Sequence, residues 1–165
     1  MESRVFIVGV IVGILATITM DVGAVIALRF GIAGRGPRRT GPDLIGRWIG
    51  YLLRGKFRHT DILEAPSLRG ELVLGLAAHY SIGIVLTLVY LSLLVAAHAT
   101  PTAPGAVLYG TATTVFPWFL MFPSQGFGWL GWDTPGNAHL TRASLFNHII
   151  FGVGIALWVA VLRPI

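Results

Sequence analysis

Four long apolar runs, separated by segments that hold most of the charge, dominate the pattern of the chain. The runs are Val5–Leu28, Leu72–His98, Pro104–Pro123 and Ala143–Leu162. A helix rises 1.5 Å per residue, so about 20 residues cross a hydrocarbon core ~30 Å thick. Backbone polar groups find no partner in lipid and must bond to one another. The pattern therefore predicts four transmembrane helices in a single domain of residues 1–165.

The first run also has to be compared with a signal peptide, because it lies near the N-terminus. It is longer than the ~7–15 residues of a typical signal-peptide core. Val22-Gly23-Ala24 is a weak cleavage site, and Asp21 stands directly before it. We interpret the run as a retained helix.

A shorter amphipathic pattern lies between the first two runs, at about residues 42–54. Thr40 or Gly41 can cap a helix here, with Pro42 in its first turn. The apolar positions at helical spacing are Leu44, Ile45, Trp48, Ile49, Leu52 and Leu53, and the polar complement is Asp43, Arg47 and Arg54. Such a helix suits the headgroup layer. It either seals the cytoplasmic end of the bundle or contacts a substrate or lipid.

Composition supports a membrane protein. The chain is 55% hydrophobic and 12% charged, with a mean hydropathy of +0.76, whereas soluble domains carry about 25% charge. The absence of cysteine excludes disulfides, thiolate metal sites and cysteine nucleophiles. We therefore expect an all-α, integral membrane four-helix bundle with a cytoplasmic interfacial amphipathic helix.

The net charge of +5 follows from topology, so we expect no nucleic-acid partner. Ten of the twelve Lys and Arg residues lie in segments 29–71 and 124–142, and only Arg4 and Arg163 lie elsewhere. The positive-inside rule then places both segments in the cytoplasm and both termini outside. The expected partners are the lipid bilayer and anionic headgroups at the cytoplasmic face, and a homo-oligomer is left open.

Several residues of these segments are assigned to the cytoplasmic interface: Arg47, Trp48, Arg58, His59, Arg69 and Arg142. His59, His98 and His139 are expected to be solvated loop residues. Glu71 belongs with Glu64 and Arg69 in an ion-pair cluster, or reaches toward His79 two turns deeper.

Three ionisable residues stand inside the apolar runs, namely Asp21, His79 and His148. At 1.5 Å per residue all three lie roughly 8–11 Å inside the cytoplasmic boundary. Small residues at four-residue spacing mark the faces where membrane helices approach closely. Each of the three ionisable residues belongs to such a face. The faces are Gly9, Gly13, Thr17 and Asp21; Gly75, His79, Gly83 and Thr87; and Ser144, His148, Gly152 and Ala156. The pattern predicts a polar chamber that Tyr80 and Asn147 can also reach, at a depth where Pro117 can kink the third helix.

Several chemistries fit such a chamber. It can be a structural hydrogen-bond network, or it can bind a small ligand, an ion or a proton. An Asp–His couple also suits acid–base catalysis on a lipid or isoprenoid. Two His and one carboxylate can be ligands for zinc or ferrous iron, and His79 and His148 could bind a haem iron from two sides. The sequence spacing of a known metal motif is absent. No catalytic residue or cofactor is assigned.

A set of ordered motifs resembles a known family. The strings are GRWIGYLLRGKFRH, RGE followed by AHYSIGI, FPSQGFG, TP, and R-x-S-x3-H-x2-FG. From Met20 to Gly154, the chain resembles the bacterial membrane family called "domain of unknown function 2938". The resemblance implies a four-helix protein of the bacterial inner (cytoplasmic) membrane, and it supplies no reaction.

Three hypotheses follow. The first is a small membrane protein whose polar chamber, in the cytoplasmic half, binds a ligand, ion or proton. The second is a membrane-embedded enzyme acting on a lipid or isoprenoid. The third is a structural subunit of a larger complex.

Overall fold

The computed structural model describes residues 3–31, 41–133 and 137–164, and it contains no strand within those ranges. Its helices are α1 (Ser3–Arg29), α2 (Pro42–Leu52), α3 (Glu71–Ala96), α4 (Ala103–Ala112), a π-helix (Pro117–Met121), α5 (Phe122–Gln125), a 3-10 turn (Trp129–Gly131) and α6 (Asn137–Leu162). Four stretches are long and apolar enough to cross a membrane: Ser3–Arg29, Glu71–Ala96, Ala103–Gln125 and Leu140–Leu162. The predicted all-α class and the four spans are confirmed, and the chain is a multi-pass membrane protein.

The third span is interrupted, as its proline predicts. α4 ends at Ala112, and a π-helix begins at Pro117. Proline has no N–H to donate and its ring opposes the preceding turn, so regular α-helix stops there. The Thr113 and Thr114 hydroxyls donate to the carbonyls of Gly110 and Thr111 over 2.6 Å and 2.7 Å. These side chains satisfy backbone oxygens at the break.

The ends of two helices were only partly predicted. α2 begins as expected, with Gly41 as N-cap and Pro42 in the first turn. Thr40, the other candidate cap, lies outside the described residues. α6 begins at Asn137, six residues before the start that hydropathy suggests, because its first turns are polar.

Two compact units are present in the chain. The span unit comprises Met1–Ala33, Tyr80–Thr114 and Leu145–Ile165, and the loop unit comprises Gly34–His79 and Val115–Ser144. Both α3 and α6 contribute residues to each unit.

Close backbone contact holds the helices of the span unit together. A Cβ added to Gly13 would lie 2.6 Å from the Ile84 Cα, and one added to Gly110 would lie 2.5 Å from the Gly152 Cα. These positions bring α1 onto α3 and α4 onto α6. The small-residue faces that the four-residue spacing predicts therefore do pack in the span unit.

The loop unit has an aromatic and aliphatic core of its own, formed by Leu44, Ile62, Phe122 and Phe127. Its two chain segments are joined through the backbone. The His59 N–H donates to the Ser124 carbonyl over 2.9 Å, and the Ile62 N–H donates to the Gln125 carbonyl over 3.0 Å. Gly126 has a φ of 87° and no room for a Cβ against the Thr60 carbonyl, so this close approach depends on glycine.

Candidate functional site

One intramembrane carboxylate has a partner on another helix. The Tyr80 hydroxyl on α3 donates to Asp21 Oδ2 on α1 over 3.0 Å. Both side chains are half-buried and both belong to the span unit. A carboxylate is costly within a bilayer, and a hydroxyl donor lowers that cost. The sequence placed these two residues in one chamber, and the structure joins them directly.

His148, the second of the three ionisable residues of the predicted chamber, also lies in the span unit and contacts the C-terminal end of α4. Its Nδ1 lies 2.7 Å from the Thr113 hydroxyl. That hydroxyl also donates to the Gly110 carbonyl over 2.6 Å. Because a hydroxyl has a single proton, His148 Nδ1 is the donor when both bonds form. Asn147 is half-buried beside it in sequence.

The third residue, His79, falls in the loop unit and is half-buried. The convergence of Asp21, His79 and His148 on one chamber therefore stays a prediction. The described ranges contain no group of three or more His, Cys, Asp or Glu side chains that could hold a metal ion.

The loop unit holds a nearly buried ion pair that ties α2 to the start of α3. Arg47 Nη2 and Nε donate to the two Glu71 oxygens over 2.8 Å and 2.9 Å. The side chains are only 13% and 14% exposed. Arg47 Nη1 also donates to the Ala65 carbonyl over 3.2 Å, and the Leu68 N–H donates to Glu71 Oε2 over 2.8 Å. Glu71 is thus engaged by Arg47, not by the Arg69 of the expected cluster.

This geometry stabilises the charge of Arg47. The hydrogen bonds to Glu71 raise the pKa of the Arg47 guanidinium, burial opposes that effect, and the charge of Glu71 adds to it. A two-pronged guanidinium–carboxylate pair is strong and directional. The pair therefore fixes the segment between α2 and α3 and is best understood as structural.

The other residues assigned to the interface divide into two groups. Arg58, Arg69 and Arg142 are exposed, which suits contact with water or headgroups. Trp48 is half-buried, and its Nε1 donates to the Phe57 carbonyl over 2.9 Å.

The expectation that His59 is a solvated loop residue was wrong. It is only 7% exposed and meets the Tyr51 ring edge-on at 5.0 Å between centroids. Burial, and to a smaller extent the charge of Lys56, lowers the pKa of its imidazole. The basic string around it suggested solvent, and no local pattern reveals the tertiary contact.

Sequence reasoning also missed buried polar atoms in the loop unit. His59 Nε2, Trp118 Nε1, Gln125 Nε2 and Ser144 Oγ are buried without a hydrogen-bond partner among the described residues. Buried polar groups normally have partners. The segment FPSQGFG carried a signal for this region, because its Pro, Gln and glycines interrupt an otherwise apolar span.

Comparison with known proteins gives a family and no activity. No curated protein matches the chain, and no solved structure matches it. The model of a family described as "Protein of unknown function (DUF2938)" matches residues 10–162, which is nearly the whole chain. The chain therefore belongs to this family, as its ordered motifs indicate.

Proposed function

We propose that this membrane protein binds a small ligand, an ion or a proton through polar side chains of the span unit, with Asp21 at the centre. The observation that carries the proposal is the 3.0 Å hydrogen bond between Tyr80 and Asp21 Oδ2. An ionisable residue inside a transmembrane helix is retained at a cost of several kcal/mol, about 2.5–3.5 for Asp on insertion scales. Residues retained at such a cost typically bind a ligand or an ion, or relay a proton.

The chemistry of the pair defines what can bind. An ionised Asp21 only accepts hydrogen bonds, so it favours a proton, a metal cation or a ligand with a donor group. Tyr80 positions the carboxylate across the α1–α3 contact. His148 adds a second titratable group to the same unit, on its own hydroxyl partner. The exposed basic segment would face the cytoplasm in the expected orientation, and we extend the proposal to the bacterial inner membrane.

The test follows the protonation of Asp21 directly. The protein is placed in nanodiscs, and the infrared band of protonated carboxyl groups is recorded as pH is varied. Asp21→Asn keeps the shape and an oxygen that can accept from Tyr80 while removing the charge. We expect this variant to lose the carboxyl band that Asp21 contributes. Asp43→Asn in α2 should keep that band.

Ions are distinguished from protons by repeating the titration with NaCl, KCl or MgCl₂. A band that responds to one cation in the wild type, and not in Asp21→Asn, indicates ion binding. Identical carboxyl titrations in the wild type and in Asp21→Asn, with every salt, would contradict the proposal. In that case Asp21 and Tyr80 join the helices structurally.

A further inference from the structure

A cavity of about 260 Å³ lies at one end of the span unit. Its wall comes from the C-terminal halves of α3 and α6 and from the first turn of α4, and includes Tyr90, Thr102, Ala156 and Arg163. Most of its apolar wall is alanine, and these short side chains leave the space open. The volume is just below the roughly 300–1,000 Å³ of typical ligand sites, so it suits a small molecule.

A buried hydroxyl in this wall is available as a donor. Tyr90 is 5% exposed, and its oxygen has no hydrogen-bond partner within the described part of the chain. The backbone of Thr102 lies beside this oxygen. The oxygen lies 3.9 Å from where a Cβ on Gly105 would stand, and the ring packs on Tyr109 at 5.0 Å. The hydroxyl is therefore held beside the first turn of α4.

The same place is electrostatically positive. Thr102 is the N-cap of α4, a helix of ten residues, and a helix N-terminus favours anions. Among the described residues, the wall contains the cationic residue Arg163 and no Asp or Glu. Arg4 Nη2 donates to the Arg163 carbonyl over 3.3 Å, which brings a second guanidinium to this end. Three independent features thus favour a negatively charged group.

We infer that this cavity binds a small amphiphilic oxyanion, a carboxylate or phosphate group carried on a short apolar body. The Tyr90 hydroxyl donates to the oxyanion and Arg163 pairs with its charge. The alanine wall, including Ala106 and Ala156, receives the apolar part. The oxyanion can belong to an anionic lipid or to a soluble short-chain acid, and both present the same chemistry.

Hexanoate is the probe, and its binding is measured by calorimetry on the protein in phosphatidylcholine nanodiscs with empty nanodiscs subtracted. We expect saturable binding of hexanoate. Hexanol, which lacks the charge, and inorganic phosphate, which lacks the apolar part, should bind at least about tenfold more weakly. If a lipid is the natural source, nanodiscs containing phosphatidylglycerol will compete with hexanoate. If a soluble acid is the source, they will not.

Two variants with matched controls locate the site. Arg163→Gln should weaken hexanoate binding about tenfold, whereas Arg29→Gln, at an exposed position of α1, should leave it unchanged. Ala156→Leu should fill the cavity and abolish binding, whereas Ala112→Leu, at an exposed position of α4, should not. Because Arg163 is exposed, its replacement should not prevent folding. Equal binding by Arg163→Gln and Arg29→Gln, or equal binding of hexanol and hexanoate, would overturn the inference.

Discussion

The span unit and the loop unit share one kind of contact and differ in another. In both units, glycines bring backbones together, as at Gly110 and Gly152 in the span unit and at Gly46 and Gly75 in the loop unit. In the loop unit, an ion pair and backbone bonds between irregular segments add to these contacts. Nine of the twelve Lys and Arg residues and five of the seven Asp and Glu residues belong to segments 34–79 and 115–144 of the sequence.

This difference reflects the two solvents that a membrane protein meets. Lipid is as apolar as a leucine side chain, so helices in it associate through close packing of small residues. Irregular backbone is tolerated only where protein or water satisfies its polar groups. The loop unit contains such backbone and satisfies it with Arg47, whose guanidinium bonds the Ala65 carbonyl. Breaking the ion pair should therefore leave the glycine contacts of the span unit intact.

The largest effect is expected from Glu71→Gln in the loop unit. The change leaves the nearly buried Arg47 guanidinium without its charged partner, which costs about 3–5 kcal/mol for a buried pair. Hydrogen exchange of residues 62–68 in detergent should report the opening of this segment. Helix protection at residues 8–16 should change little.

Two further variants separate charge from geometry at this site. Arg47→Lys keeps the charge but loses the two-pronged contact, so it should show an intermediate loss. Arg58→Gln removes a cation at an exposed position and should stay within about 0.5 kcal/mol of the wild type. Wild-type exchange in Glu71→Gln would mean that the pair does not hold the segment.

Gly110→Ala is the corresponding change in the span unit. The added Cβ would stand 2.5 Å from the Gly152 Cα and 2.7 Å from the His148 carbonyl, so the helices must separate. Overpacking of this kind costs about 1–3 kcal/mol. We expect a lower unfolding midpoint in mixed micelles of dodecyl sulfate and a neutral detergent.

The control for this packing contact adds a larger side chain at an exposed place. Ala112→Leu lies two residues along α4 at an exposed position, and we expect it to leave the midpoint nearly unchanged. If Gly110→Ala and Ala112→Leu shift the midpoint equally, close backbone approach does not stabilise the span unit.

The parts of the fold that sequence could predict are those with a local cause. Apolar runs of spanning length produce the four spans, and four-residue spacing of small residues identifies the faces around Gly13 and Gly152. Pro117 ends regular helix because of its own ring. Each of these features is determined within one or two turns of the chain.

The parts that sequence could not predict depend on residues far apart. Arg47 and Glu71 are 24 positions apart and are separated by a segment without periodicity, so their pairing has no local signal. His59 is buried by contacts with Tyr51 and with the Ser124 backbone. The candidate site was found in part, because the sequence assigned Asp21 and Tyr80 to one chamber, whereas the Thr113 partner of His148 depends on helix rotation.

A smaller and strictly local effect is expected at the start of α4. The Thr102 hydroxyl accepts a hydrogen bond from the Gly105 N–H over 3.2 Å. Removing an N-cap of this kind costs about 1 kcal/mol. Thr102→Ala should therefore lower the unfolding midpoint slightly and Thr102→Ser should restore it. A loss that Thr102→Ser does not restore would point to the methyl group instead.

The smallest effect is expected from protonation of His59 in the loop unit. Burial, with help from Lys56, lowers the pKa of the folded imidazole below its unfolded value of about 6.5. The unfolded state then binds the proton more readily, so the stabilisation is fully present above about pH 6.5 and is lost as pH falls toward the folded pKa. Hydrogen exchange at residues 59–62, corrected for its intrinsic pH dependence, should show this loss between about pH 7 and pH 5.

His59→Gln, which cannot titrate, should remove the pH dependence, and Lys56→Gln should reduce it because the repelling charge is gone. Protection that stays constant over this range in the wild type would show that the buried imidazole does not control the segment, and the contrast between the two units would then rest on the Arg47–Glu71 pair.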